Sequence, residues 1–210
     1  MLFVFSGCTT ALDIGLIIDT SGSINEGTMN WPVVLDFLEQ LVNTLDIGQD
    51  MIRIGAVTFS TNETLEWTLD RYFDRTSMID AIRRIFYQGR TTNLAGGLEL
   101  ARTRLFNSNG DRRTVNNVAL VITDGIPNER VGDTDPQAEQ LKLVVDLVVA
   151  VGVTDQVDFN QLERIASSPS DVIRVTDFNA LRNDLSRIVT QVCRPVQPLL
   201  PVPTRAPPSG

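Results

Sequence analysis

Short, almost uninterrupted apolar runs alternate along this chain with longer stretches whose apolar residues recur every three or four positions, and few architectures accept that pattern. Leu12-Asp13-Ile14-Gly15-Leu16-Ile17-Ile18, ending at Asp19, has no polar face to give to water, as expected of a strand buried on both sides. Residues 31–45 then set Trp31, Val34, Leu35, Leu38, Leu41, Val42 and Leu45 at helical spacing, a stripe that reads as core. Ile52 to Phe59 is β-branched and apolar, and Thr64 to Leu69 alternates like an edge or antiparallel strand. Met78 to Phe86 and Leu94 to Phe106 read as helices, and Val115 to Thr123 as another buried strand. A helix over Pro136–Leu143 follows, with Pro136 placed for its first turn, then a strand over Val144–Val151. Phe159 to Ala166 reads as a helix and Val172 to Val175 as a short last strand. The final helix sets Phe178, Leu181, Leu185, Ile188, Val189 and Val192 on one face. The alternation predicts an α/β fold: a doubly wound, mostly parallel central sheet flanked by helices on both faces, with right-handed crossovers. Ligands of such sheets bind beyond the carboxyl ends of the strands.

The patterned region covers residues 12–193, one domain by length. Residues 1–11 form a lead-in, in which Met1 to Phe5 resembles a truncated signal sequence but lacks a basic start and a full apolar run. A frayed apolar tail or the start of a strand is the other reading of those residues. Residues 194–210 hold six of the ten prolines, which predicts an extended linker leading to a further domain, or else a plain disordered end. No segment is long enough to span a bilayer, since the apolar stretch from Leu143 to Val153 is broken by Asp146.

Composition narrows the chemistry. The chain has no histidine and only two cysteines, so His-based acid–base catalysis, His-ligated zinc and thiolate zinc sites are excluded. A net charge of −8 without a Lys/Arg cluster argues against nucleic acid. Oxygen ligands remain, and these suit Mg²⁺ or Ca²⁺. They gather where the fold expects a ligand. The first strand runs into Asp19-Thr20-Ser21-Gly22-Ser23, and the Val115–Thr123 strand into Thr123-Asp124-Gly125. Between them a loop, Gly89-Arg90-Thr91-Thr92-Asn93, feeds a helix. Either motif alone is an ordinary turn or cap. All three in order are far harder to obtain by chance.

These segments resemble the metal-ion-dependent adhesion site (MIDAS) of the von Willebrand factor type A domain family, whose fold is Rossmann-like. Ile52-Arg53-Ile54-Gly55-Ala56-Val57-Thr58-Phe59-Ser60 and Val149-Ala150-Val151-Gly152-Val153 support the likeness, which covers about residues 11–193. The resemblance implies a metal site at Asp19, Ser21, Ser23, Thr92 and Asp124. In the family the liganding threonine stands six residues before an apolar helix residue, and counting back from Leu98 gives Thr92; a one-residue loop adjustment would give Thr91. The three hydroxyls are then direct ligands and the two aspartates act largely through water. Mg²⁺ is the implied ion, with Mn²⁺ or Ca²⁺ as substitutes. Poorly compensated by neutral ligands, it attracts an Asp or Glu of a protein partner. The family reading is a secreted adhesion or extracellular-matrix module, without enzymatic activity, binding a matrix or cell-surface protein such as a collagen. The short connection Thr154 to Asp158 lacks the extra helix of collagen-binding integrin inserted domains, which weighs against collagen without removing it. With both carboxylates at the reference pKa near 3.9, binding is expected to fail only in acid.

Three further residues bear on this reading. Cys8 and Cys193 bracket the domain at what should be the pole opposite the metal, and extracellular members of the family often carry such a terminal pair, which implies a disulfide; two unrelated buried thiols is the alternative. Asn62-Glu63-Thr64 matches the N-glycosylation acceptor pattern in a strand-edge loop. Two other functions share part of this pattern. An intracellular scaffold of a multiprotein complex shares the fold but has no use for a disulfide. A Mg²⁺-dependent phosphatase of the haloacid dehalogenase type needs a second acid two residues after Asp19, where Ser21 stands, and a lysine at a later strand end. Lys142, the only lysine, falls in a helix. Arg112-Arg113 reads as a solvated pair, and Asp133 and Asp135 either add negative potential near Asp124 or cap the following helix.

Overall fold

The computed structural model describes Cys8, residues 10–108 and residues 110–194. The signal-like segment Met1 to Phe5 and the prolines of the tail lie outside the described residues. Six strands form one sheet in the order β3-β2-β1-β4-β5-β6. They are β1 (Leu12–Asp19), β2 (Ile52–Phe59), β3 (Glu63–Trp67), β4 (Asn116–Thr123), β5 (Leu147–Val153) and β6 (Val172–Val175). Only β3, at one edge, runs antiparallel to its neighbour. The helices are α1 (Trp31–Thr44), α2 (Arg75–Ile82), α3 (Leu94–Arg104), α4 (Thr134–Lys142), α5 (Phe159–Ile165) and α6 (Leu181–Val192). The order reverses between β1 and β4, so the loops leaving those two strands diverge and open a crevice.

Alternation along β1 builds two cores. Ile14, Leu16 and Ile18 point to one face and pack with Phe37, Leu38 and Leu41 of α1, Met78 of α2 and Ile188 of α6. Ile17 points to the other and joins Leu98 of α3, Leu141 of α4 and Ile165 of α5. Every residue of β1 is buried, which explains its lack of a polar face. Gly15 is required on the second face, because a Cβ there would sit 2.5 Å from the Phe106 ring.

The structure shifts several expected boundaries. The helix expected over 78–86 is Arg75–Ile82; it starts earlier because Asp74 caps it, accepting from Ser77 N at 2.9 Å. It ends before Phe86, which is 76% exposed. The strand expected over 144–151 is Leu147–Val153, with Val144 and Val145 in the turn after α4. Asp146, the one break in that apolar stretch, marks the start of the strand: its carboxylate accepts from Asn117 N at 2.7 Å, and Leu147 opens β5. Phe178 precedes the last helix in a short 3₁₀ turn, Phe178–Ala180.

Arg112 is not solvated. Its guanidinium grips Asp13 at 2.6 and 2.9 Å, its backbone N–H donates to the other Asp13 oxygen at 2.8 Å, and it also donates to the carbonyls of Leu12 and Met51. Both oxygens of Asp13, inside a buried strand, are thereby answered by one residue: one by two guanidinium N–H groups, the other by the backbone N–H. Nor do Asp133 and Asp135 cap α4 through their side chains: Asp133 pairs with Arg130 and Asp135 with Arg164. Cys8 and Cys193 are bonded to each other, with Cα atoms 5.0 Å apart, at the end where β1 begins and α6 finishes.

Candidate metal centre

The site grows out of the last residues of β1 and β4, neighbours at the centre of the sheet. Asp19 closes β1. One of its carboxylate oxygens accepts from Ser21 N at 2.8 Å, and the other accepts from the Thr123 hydroxyl at 2.5 Å. The first bond bends the chain into a turn that returns Ser21 and Ser23 beside the carboxylate, an Asx-type arrangement. Their hydroxyl oxygens lie 3.1 Å apart, and Ser23 Oγ donates to Asp124 at 2.7 Å. Asp19, Ser21, Ser23 and Asp124 thus form one linked group.

The third segment is tied to the first by main-chain bonds. Gly22 N donates to Arg90 O at 2.7 Å and Gly89 N to Thr20 O at 2.9 Å. Thr92 N donates to the Asn128 side chain at 2.8 Å, while Asn128 N donates back to Thr92 O at 3.1 Å. Asn93 then caps α3 by accepting from Gly96 N. The adjacent threonines part company. Thr91 is turned to the hydroxyl of Thr61, 2.7 Å away on the exposed side, whereas Thr92 is buried. A Cβ built on Gly125 would lie 3.0 Å from Ser23 Oγ and 3.6 Å from Thr92 Oγ1, so both hydroxyls border the same small space next to Asp124. The cleft above it, about 690 Å³, is bounded also by Ile126 and Asn128.

The electrostatics single out this group. Asp19 and Asp124 are 1% and 4% exposed, and no Arg or Lys side chain donates to either among the described residues. Burial first, and then the Asp19 charge, push the Asp124 carboxyl up to about 7, with the Ser23 bond opposing them. Burial raises Asp19 as well, against the bonds from Ser21 and Thr123. The expectation that both carboxylates titrate near 3.9 is therefore corrected for the cation-free protein. Among the described residues no cluster of three Asp, Glu, Cys or His side chains could hold a metal, so any ion here must rely on hydroxyls. Hard oxygens around an uncompensated acidic pair fit a divalent cation of the Mg²⁺ type.

Sequence reading missed the supporting residues. Asn128 holds Thr92 from both sides, Tyr87 donates to Gly22 O, and Ser60 bonds Arg90 N and Thr91 O. Asn and Ser in loops are too common to be read as latches.

Residues 13–187 match the family model of the von Willebrand factor type A domain. The chain is 28% identical over 193 residues to the collagen alpha-1(XII) chain of Notophthalmus viridescens, covering 90% of this chain and 20% of that protein. It is 29% identical over 188 residues to vitrin of Homo sapiens, covering 89% and 26% respectively. Cuticlin-6 of Caenorhabditis elegans is 30% identical over 185 residues, covering 87% of this chain and 31% of its own length. The chain thus spans about a fifth to a third of these relatives. Among solved structures, proximal thread matrix protein 1 from the mussel byssus superposes with a TM-score of 0.83 at 23% identity, covering 89% of this chain and 49% of that one. The same mussel protein with a zinc-occupied MIDAS motif gives a TM-score of 0.81 at 28% identity, covering 89% and 47%. On the family match, and with the doubly wound sheet and its Asp19 crevice in place, the chain belongs to the von Willebrand factor type A domain family.

Proposed function

We propose that residues 12–193 form a divalent-cation-dependent protein-binding module of the extracellular matrix, with an intact MIDAS. The observation that carries this reading is the buried Asp19–Asp124 pair, left without a cationic side chain and ringed by hydroxyls at the open pole of the sheet. Ser21, Ser23 and Thr92 would hold a divalent cation such as Mg²⁺ through their hydroxyls, with the Asp19 and Asp124 carboxylates supplying the compensating charge beside it. Such an ion would supply Lewis acidity toward an external carboxylate, so an Asp or Glu of the partner would bind at the open pole above these hydroxyls. Asn128 and the Gly22–Arg90 bond keep the three segments at fixed spacing, so little ordering is left for the moment of binding.

The matrix assignment is supported by the names of the relatives, two of which are a collagen chain and vitrin. Secretion is supported by the Cys8–Cys193 bond, which an intracellular scaffold would not keep. A binding rather than enzymatic role is supported by the site itself. Ser21 stands where a phosphatase needs its second acid, and Lys142 is bound to Glu139 and to the Arg164 carbonyl, on helices away from the crevice. We take residues 1–11 as a lead-in and residues 194–210 as a Pro-rich linker or tail.

The test is adhesion of the domain to immobilised decellularised matrix in Mg²⁺ or Mn²⁺, with EDTA and Asp19→Ala as controls. Adhesion should vanish in both controls while circular dichroism shows the fold retained. Truncating one member of a desolvated charge pair costs about 2–5 kcal/mol, or roughly 30-fold to several thousand-fold in affinity. Equal adhesion in EDTA overturns the metal bridge and assigns binding to a metal-free surface.

A further inference from the structure

A second surface feature lies beside the metal pole and shares only Arg90 with the lining of the metal cleft. The turn between β2 and β3 presents Asn62, exposed and held by its backbone alone: its carbonyl accepts from Ser60 N at 3.1 Å and from Gln88 Nε2 at 3.1 Å. Its side-chain amide has no hydrogen-bond partner among the described residues. Thr64, two residues on, is exposed in the first turn of the edge strand. Facing them across a groove of about 430 Å³ are Phe86 and Gln88. Phe86 is the most exposed large apolar side chain among the described residues, at 76%, although it lies shortly after a helix that buries Met78, Ala81 and Ile82. Among the described residues the far edge of β3 has no strand partner, a liability that proteins usually cover.

We infer that Asn62 carries an N-linked glycan whose first sugar lies in this groove, its apolar face stacked on Phe86. The acceptor pattern alone is weak. An aromatic ring left in water beside the acceptor amide, in a groove the size of a small-ligand cleft, gives the sugar a place to rest. The donor is a lipid pyrophosphate-linked oligosaccharide, used by the transferase of the secretory route. Asn62 Nδ2 forms a bond to the anomeric carbon, the bond from that carbon to the pyrophosphate oxygen breaks, and the amide proton leaves with the pyrophosphate; nothing is oxidised or reduced. The Cys8–Cys193 disulfide is made in the same oxidising compartment. Once attached, the glycan shields the open start of β3. Because Arg90 lines both this groove and the metal cleft, it also stands at the rim of the binding face. The inference rests on secretion but not on cation-dependent binding.

The experiment uses the full chain secreted from cultured animal cells. Intact mass and glycopeptide sequencing should find Asn62 modified, the modification lost in Asn62→Gln and Thr64→Ala and kept in Thr64→Ser. After trimming to a single N-acetylglucosamine, its acetyl methyl proton signal should be displaced by the Phe86 ring current and return to its free-sugar position in Phe86→Ala. Phe86→Ala should lower the melting temperature of the glycosylated protein by about 2–4 °C and leave Asn62→Gln almost unchanged. Secreted protein unmodified at Asn62 overturns the site. A modified Asn62 with no ring-current displacement, and with the same Phe86→Ala effect in both backgrounds, overturns the stacking. EDTA-sensitive adhesion is read separately, so either result stands apart from the binding proposal.

Discussion

The domain buries four aspartates, and the two poles of its sheet treat them in opposite ways. Where the strands begin, Asp13 is gripped by Arg112 and Asp171 by Arg194 and Gln191, each charge closed off within the chain. Where the strands end, Asp19 and Asp124 are just as buried and receive only hydroxyl and backbone donors. A buried charge that lacks a partner destabilises the fold that holds it. The first pole spends its chemistry on holding together. The second leaves a deficit that a cation can fill, and that deficit is what makes it a candidate site.

The comparison can be broken from either end. The largest effect is expected from opening the Cys8–Cys193 bond, which closes a loop of 185 residues. Chain entropy puts its contribution at up to about 5 kcal/mol. Reduction, or Cys8→Ser with Cys193→Ser, should shift the urea midpoint strongly downward, while Mn²⁺ titration of the remaining folded protein is unchanged. Next is the sign of single charge deletions. Arg112→Ala strands Asp13 and should cost about 3–5 kcal/mol in the same unfolding assay. Asp124→Asn removes an unanswered charge, and in cation-free buffer at pH 8 it should stabilise by on the order of 1–3 kcal/mol while abolishing Mn²⁺ binding by calorimetry. Loss of stability in both variants would erase the contrast between the poles.

Titration sharpens it further. The Asp124 carboxyl is near 7 when folded and ordinary when unfolded, so between about pH 4 and 7 the folded chain holds a proton that the unfolded chain has released. Stability of the cation-free domain should therefore fall across that window as pH rises, and level off above it. Asp124→Asn should flatten this slope. Mn²⁺ binding should release protons below pH 7 and weaken there, well before ordinary acid. The smallest effect on stability separates the threonines. Thr92→Ala should weaken Mn²⁺ binding with the unfolding midpoint nearly unchanged, and Thr91→Ala, which loses only an exposed bond to Thr61, should alter neither measurably.

Much of this was legible in the sequence, and the reasons are local. β1 reads correctly because every one of its residues is buried, and the strand ends read correctly because Asp19, Ser21 and Ser23 are close in sequence. The count back from Leu98 pointed to Thr92 but left Thr91 open, because two adjacent threonines in a loop differ in sequence only by register; their side chains part in the fold, Thr91 toward Thr61 and Thr92 into the interior. What escaped was long-range pairing. Asp13 and Arg112 stand 99 residues apart, and nothing near either one announces the other. Asn128 reaches Thr92 over 36 residues from a loop of ordinary turn composition. The start of β5 escaped for the opposite reason, because Val144 and Val145 are as apolar as the strand they precede.

The disulfide also fixes how the domain meets mechanical load. Chain entering at Cys8 and leaving at Cys193 passes between Cα atoms 5.0 Å apart and joined covalently. Tension along such a chain runs through the sulfur bridge and leaves the 185-residue loop slack. On the proposed function, a partner held at the metal pole would pull from the other end of an eight-residue strand, roughly 25 Å away. That pull is directed lengthwise along β1, which is hydrogen-bonded on both sides to β2 and β4, so it must shear two parallel ladders at once. The same bridge that would shield the fold from strain along its own chain would thus leave β1, braced by two ladders, to bear strain from a bound partner.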